Sequence, residues 1–179
     1  MQELLDVLNK NGEKSGQKVS RQECYEYGFL HSCVIIWVLN KNYEILVQRR
    51  ARNKISFGGK WDKSVGGGVD SGETSVIAAI RESREELGLD ITPNQLEFIG
   101  KLPDEYNVGA GTAKVIIDSF VVVGDYKISD MILQPEEVDE VKYVSSDWIE
   151  QNSYINYPEN SILGDKHYYL LKTWLEKNA

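Results

Sequence analysis

Apolar and polar positions change period several times along the chain, and each change marks an element. Segments 4–8 and 17–20 flank N-K-N-G-E-K-S-G, whose glycines and asparagines predict a β-hairpin turn. Residues 21–27 predict a short helical turn closed by Gly28. Residues 31–39, H-S-C-V-I-I-W-V-L, are rich in β-branched side chains and predict a strand. After a turn at 40–42, residues 43–48 are expected to pair back on it. Residues 51–60 read as a basic, glycine-containing loop, and 63–65 as a short strand feeding a glycine run. Strands are predicted at 96–101 and 114–123, with a flexible loop over 103–112 between them. A strand at 139–144, a short helix at 147–151 and an amphipathic helix at 167–177 complete the chain. In the last helix Tyr168, Leu171 and Leu175 recur at helical spacing. Strands on both sides of a central helix, with a second helix at the end, predict an α/β fold with a mixed sheet held between helices.

The central helix carries the chemistry. Residues 66–89 read G-G-G-V-D-S-G-E-T-S-V-I-A-A-I-R-E-S-R-E-E-L-G-L: a glycine loop, a helix-period segment, a burst of carboxylates and a stop at Gly88. At about 100° per residue, Glu82, Glu85 and Glu86 share an arc of roughly 100°. Val76, Ile80 and Leu87 form a packing stripe roughly 150° away. Like charges at these spacings repel, and the helix dipole disfavours anions near a C-terminus. A solvated acidic face is the plain reading. Arg81 and Arg84 offset part of the double cost, and a divalent cation would offset more. Carboxylate oxygens suit Mg²⁺ or Mn²⁺, hard ions that also engage substrate phosphates.

Composition narrows the partners. The chain has 179 residues, enough for one core, with 41% hydrophobic and 27% charged residues, in the globular range. A net charge of -8 argues against a nucleic-acid polymer or an anionic membrane as the main partner. A small phosphorylated molecule remains compatible, because local basic groups and a metal overcome the average. Cys24 and Cys33 match no zinc or redox spacing, and free thiols in a reducing cytoplasm are the expectation. No apolar run approaches membrane-spanning length, and the first residues show no secretion signal.

Gly67, Glu73, Arg81, Glu82, Glu85, Glu86, Gly88 and Leu89 fit G-x5-E-x7-R-E-U-x-E-E-x-G-U, with U a bulky aliphatic and Ser83 the one departure. This pattern resembles the Nudix box, here over 67–89. The resemblance implies an α/β/α sandwich spanning 28–179, with 1–27 as an N-terminal hairpin extension. It implies Mg²⁺ or Mn²⁺ held by Glu82, Glu85 and Glu86, with a backbone carbonyl from Gly66–Gly67. It also has Arg81 and Glu73 brace the loop against the helix, and implies a possible homodimer. Glu85 or Glu86 would activate water, with Glu136, Glu137 and Glu140 as alternative bases read as a surface acidic run.

The segments F-L-H-S-C-V-I-I-W-V-L-N, I-L-V-Q-R-R-A-R-N-K and G-K-W-D-K-S-V-G-G-G are similar to type I isopentenyl-diphosphate isomerase, a Nudix relative. Its proton-transferring cysteine falls on Gly66 here. Its metal histidines fall on His31, Cys24 and Gly68, so one of three persists. Arg50 and Lys54 fall where that relative holds its diphosphate. Arg suits bidentate phosphate contact and Lys supplies a point charge, and a solubilising basic loop is the competing reading. Tyr106 is a candidate for stacking on a nucleobase, whereas His31 and Trp61 read as structural. The expected activity is metal-dependent hydrolysis of the diphosphate bond of a nucleoside diphosphate linked to another group X. An isomerase or a catalytically silent nucleotide-binding module are the alternatives.

Overall fold

The computed structural model describes residues 4–156, 158 and 161–179. Strands β1 (Leu4–Leu8) and β2 (Lys14–Ser20) form an antiparallel hairpin, and helix α1 (Arg21–Tyr27) follows directly. Ser20 caps that helix and Glu23 returns the bond to the Ser20 N–H at 2.8 Å, a complete capping box. Gly28 ends it in the left-handed region at φ 62°. Of the two hairpin glycines, Gly12 serves the turn, while Gly16 (φ 89°) lies inside β2.

The main sheet is mixed and curled. Strand β3 (Leu30–Leu39) pairs in parallel with β8 (Gly111–Val123) along its whole length. Its other edge is shared: β6 (Val65–Gly68) takes Cys33 to Ile36, and β4 (Ile45–Arg50) touches it at one pair, Leu39 with Ile45. The expected hairpin of β3 and β4 therefore splays apart. Strand β4 pairs instead with β5 (Trp61–Asp62) and β9 (Val138–Val144). Buried Ser64 explains the split. Its hydroxyl accepts from Val38 N–H (2.8 Å) and donates to the Leu46 carbonyl (2.6 Å), so these backbone groups are satisfied without each other.

Alternation along β3 sends side chains to two cores. Val34, Ile36 and Val38 pack with Ala78, Ala79 and Leu87 of α2 (Ser75–Leu87). Ile35, Trp37 and Leu39 pack with Ile149 of α3 (Ser146–Gln151) and with Tyr168, Leu171 and Leu175 of α4 (Lys166–Asn178). A strand buried on both faces reads as an unbroken apolar run, as this one does.

Two expectations are corrected. Residues 103–112 are not a flexible loop: β7 (Glu97–Val108) continues through them and turns at Gly109 into β8. Pro103 is tolerated because β7 is an edge strand, where its missing N–H breaks no ladder. The glycine run is also no loop. Gly66, Gly67 and Gly68 are ladder residues opposite Ile35, Val34 and Cys33.

Candidate active site

Helix α2 starts at Thr74, whose hydroxyl accepts from Ile77 N–H, and stops at Gly88 in the left-handed region. Its buried face holds Ala78, Ala79, Glu82, Ser83, Glu86 and Leu87. The three acids therefore do not share a solvated face: Glu82 and Glu86 are 7% and 4% exposed, and Glu85 alone is exposed. Ser83 keeps its hydroxyl satisfied by donating to the Ala79 carbonyl at 2.7 Å, so the departure from an aliphatic residue leaves no orphan.

Gly67 explains how Glu82 is buried there. A Cβ at Gly67 would lie 2.0 Å from the Glu82 carboxyl carbon, so the carboxylate rests flush on the strand backbone. Arg81 spends all five of its donors on the site. Nε and Nη2 grip Glu73 (3.0 and 2.9 Å), and Nη2 also reaches the Gly68 carbonyl (2.9 Å). Nη1 joins Glu82 (2.8 Å) and Glu85 (3.1 Å). Glu73 reaches back to the Asp70 N–H at 3.1 Å. Loop, strand and helix thus meet at one guanidinium. That contact holds the Glu73 carboxyl below the usual range.

Burial raises the Glu82 pKa, against the pull of Arg81. Burial, and then the charge of Glu82, push Glu86 up to about 8. Gln48 Nε2 donates to Glu86 Oε2 at 2.9 Å, while Gln48 Oε1 is buried without a partner. Two adjacent buried carboxylates with so few donors fit a divalent cation, whose charge would restore their ionised forms. Among the described residues the three box acids do not bring ligand atoms within 4.8 Å of one another; Glu85 is drawn to Arg81 and Glu86 to Gln48.

Beside the glycine strand lies a cavity of about 500 Å³. Arg50, Lys54, Tyr106, Gly66 and Gly67 line it, so five sequence-predicted residues meet there. Arg50 is braced by Asp62 (3.1 Å) and the Ser56 carbonyl (3.2 Å). Lys54 is held by both oxygens of Glu137, at 2.7 and 2.5 Å. Residues 132 and 134 bond the last carbonyls of α2, which carries Glu137 to the cavity wall. Glu136 and Glu140 are exposed, the latter 3.5 Å from Arg49. Tyr106 sits on β7 with its ring 5.9 Å from Phe57, and burial raises its phenol pKa strongly.

His31 is a satisfied core residue, its Nδ1 3.1 Å from the Phe29 carbonyl. Trp61 packs edge-on against Trp148 at 5.9 Å, with Lys142 over both rings. His31 and Cys24 join no trio of potential metal ligands among the described residues. Sequence reasoning missed Arg21 and Lys63, which line the cavity, and Gln48. Arg21 Nη2 lies 3.1 Å from where a Gly68 Cβ would stand. Gln48 alone carried a visible signal, as a polar residue inside an apolar strand. Also missed was a second wall of the cavity, where Asp104 and Asp165 come together with His167.

The NUDIX domain family profile matches residues 29–162. The chain belongs to the Nudix family. Nudix hydrolase 3 of Arabidopsis thaliana is 34% identical over 150 residues; the match covers 80% of this chain but 19% of that longer protein. An uncharacterised Nudix hydrolase of Listeria innocua is 33% identical, with 81% of each chain covered. The isopentenyl-diphosphate Delta-isomerase of Cutibacterium acnes is 33% identical over 60% of this chain and 56% of its own length. Among solved structures, DR0079 of Deinococcus radiodurans superposes with a TM-score of 0.69 at 23% identity, covering 95% and 98% of the two chains. The NUDIX domain of Shewanella oneidensis NrtR, solved with ADP ribose, superposes at 0.60 and 16% identity, covering 83% and 88%. Both likenesses concern the fold.

Proposed function

We propose that this Nudix protein is a metal-dependent hydrolase that cleaves the diphosphate bond of a nucleoside diphosphate linked to another group X. The observation that carries this reading is the pair of buried acids, Glu82 flush on Gly67 and Glu86 pushed up to about 8, each with one side-chain donor among the described residues. Glu82, Glu85 and Glu86, with a carbonyl of Gly66–Gly67, would hold Mg²⁺ or Mn²⁺. Such an ion polarises phosphoryl oxygens and makes a bound water more acidic.

The chain's own groups do the rest. Arg81 keeps Glu82 and Glu85 in place and ties both to Glu73. Gln48 occupies Oε2 of Glu86, leaving Oε1 to accept the proton of the attacking water. The water oxygen bonds to phosphorus, and the bridging P–O bond breaks. With an ion bound, Glu86 would be ionised, and the more acidic metal-bound water would need only a weak base to take its proton. Arg50, with Arg21 and Lys63 also lining the cavity, would supply positive charge to the phosphates. Arg50 and Lys63 share the single charge of Asp62 and keep a net positive charge, whereas Lys54 is matched by Glu137 and contributes less. Tyr106 and Phe57 offer an aromatic wall for the rest of the substrate.

The isomerase reading has less support. Gly66 has no side chain for proton transfer, and the nearby cavity thiol, Cys33, is pushed up to about 12 by burial. A screen of nucleoside diphosphate compounds with Mg²⁺, ADP ribose among them, tests the proposal. Release of nucleoside monophosphate is expected from wild type. Glu85→Gln and Glu86→Gln should each lose at least about 10²-fold in kcat. Wild-type turnover in both variants would remove the role given to these acids. Isomerisation of an alkenyl diphosphate without phosphate release would favour the isomerase.

A further inference from the structure

Part of the cavity lining comes from β7 and the start of α4. There Asp104, Asp165 and His167 each present one ligand atom, all within 4.8 Å of one another. The His167 imidazole is 1% exposed, and among the described residues neither ring nitrogen makes a hydrogen bond of good geometry. Its Nε2 faces Asp104 Oδ2 at 3.5 Å, too far for a good hydrogen bond. A buried imidazole left in that condition costs free energy that a ligand would recover.

Both carboxylates are fastened by one oxygen. Asp104 Oδ1 accepts from Glu105 N–H and Lys166 Nζ, each at 2.9 Å. Asp165 Oδ1 caps α4, accepting from His167 N–H (3.0 Å) and Tyr168 N–H (3.1 Å). Holding one oxygen and presenting the other is how surrounding groups orient the ligands of a metal. We propose that Asp104, Asp165 and His167 form a second divalent-metal site, separate from the Nudix box.

The donor set selects the ion. Lys166 acts on Asp104, and half-buried Lys63 acts on Asp165 through its charge. These cations weaken a hard ion that relies on charge alone, such as Mg²⁺. The imidazole nitrogen favours Zn²⁺ or Co²⁺ instead. Three protein ligands leave a coordination position open, and Asp104 and Asp165 line the cavity. An oxygen of a bound molecule would complete the shell there. The site does not depend on the hydrolase reading.

The test uses the untagged full chain and Zn²⁺ in the presence of excess Mg²⁺, which occupies all-oxygen sites. The chain has two histidines, His31 and His167, so their ring resonances are separable by NMR. One equivalent of Zn²⁺ should move the His167 resonances and leave those of His31 in place. Asp104→Asn, on a partly exposed side chain, should weaken Zn²⁺ binding by about tenfold or more, as should His167→Gln. Glu85→Gln should bind Zn²⁺ as wild type does. An unmoved His167 ring, or unchanged Zn²⁺ affinity in Asp104→Asn, would overturn the proposal even if His167→Gln failed to fold.

Discussion

Single residues decide whether the acid cluster can exist. Gly67 needs no left-handed backbone; it is glycine because the Glu82 carboxyl carbon lies 2.0 Å from where a Cβ would be. Gly67→Ala must push Glu82 aside. We expect activity to fall at least about 10²-fold, the usual cost of misplacing a reacting group by an ångström. Gly72→Ala is the control, since its Cβ meets nothing within 4 Å and only its φ of 94° resists a side chain. It should cost about 1 kcal/mol of stability and spare most turnover. Equal activity losses in the two variants would mean that contact with Glu82 is not what matters. Arg81 shows the same economy: its pattern position foretold a brace, but only the fold shows five donors meeting five acceptors.

At the scale of elements, the N-terminal hairpin grips the loop that enters α2. Ser71 N–H donates to the Leu4 carbonyl at 2.7 Å. Asp6 accepts from the Ser71 hydroxyl (2.9 Å) and Gly72 N–H (3.3 Å) and pairs with Lys14 at 2.7 Å. Burial pushes the Asp6 carboxyl up, and these partners more than reverse it, leaving its pKa lowered. This strand lies outside the matched span 29–162, yet it holds the backbone just before Glu73. Asp6→Ala should cost about 2 kcal/mol, and amide exchange at Gly72 should accelerate. Unchanged exchange at that amide would make the hairpin a mere appendage. Hairpin, the short helix closed by Gly28 and both long helices were legible, because turn glycines and apolar spacing are local signals; the capping box of Ser20 and Glu23 emerged only in the fold. The β7–β8 hairpin was not: Pro103 and polar residues 104–107 look like a loop unless the strand is known to be an edge.

For the whole molecule, the curled sheet buries Glu86 between β4 and the segment after residue 131. Its ordinary pKa is 4.5, and burial and Glu82 raise it to about 8 in the fold. The unfolded chain then ionises first, so this residue reduces stability progressively as pH rises from about 4.5 to about 8 and fully above that. We expect the Tm of the metal-free chain to fall across that window, and Glu86→Gln to flatten the fall. Saturating Mg²⁺ or Mn²⁺ should flatten it as well; at about 100 times Kd, a bound ion adds roughly 2.7 kcal/mol. A Tm independent of pH between those limits in the metal-free chain would show that Glu86 is not penalised by burial. The sequence by itself determined the family pattern, the helix that carries the acids and the apolar strand at the centre, since these depend on residues close together in the chain. Tertiary structure alone decided that Glu82 and Glu86 are buried, that Ser64 parts two strands, and that Asp104 meets Asp165 and His167. Such meetings join segments tens of residues apart, and local periodicity carries no information about which distant side chain will arrive.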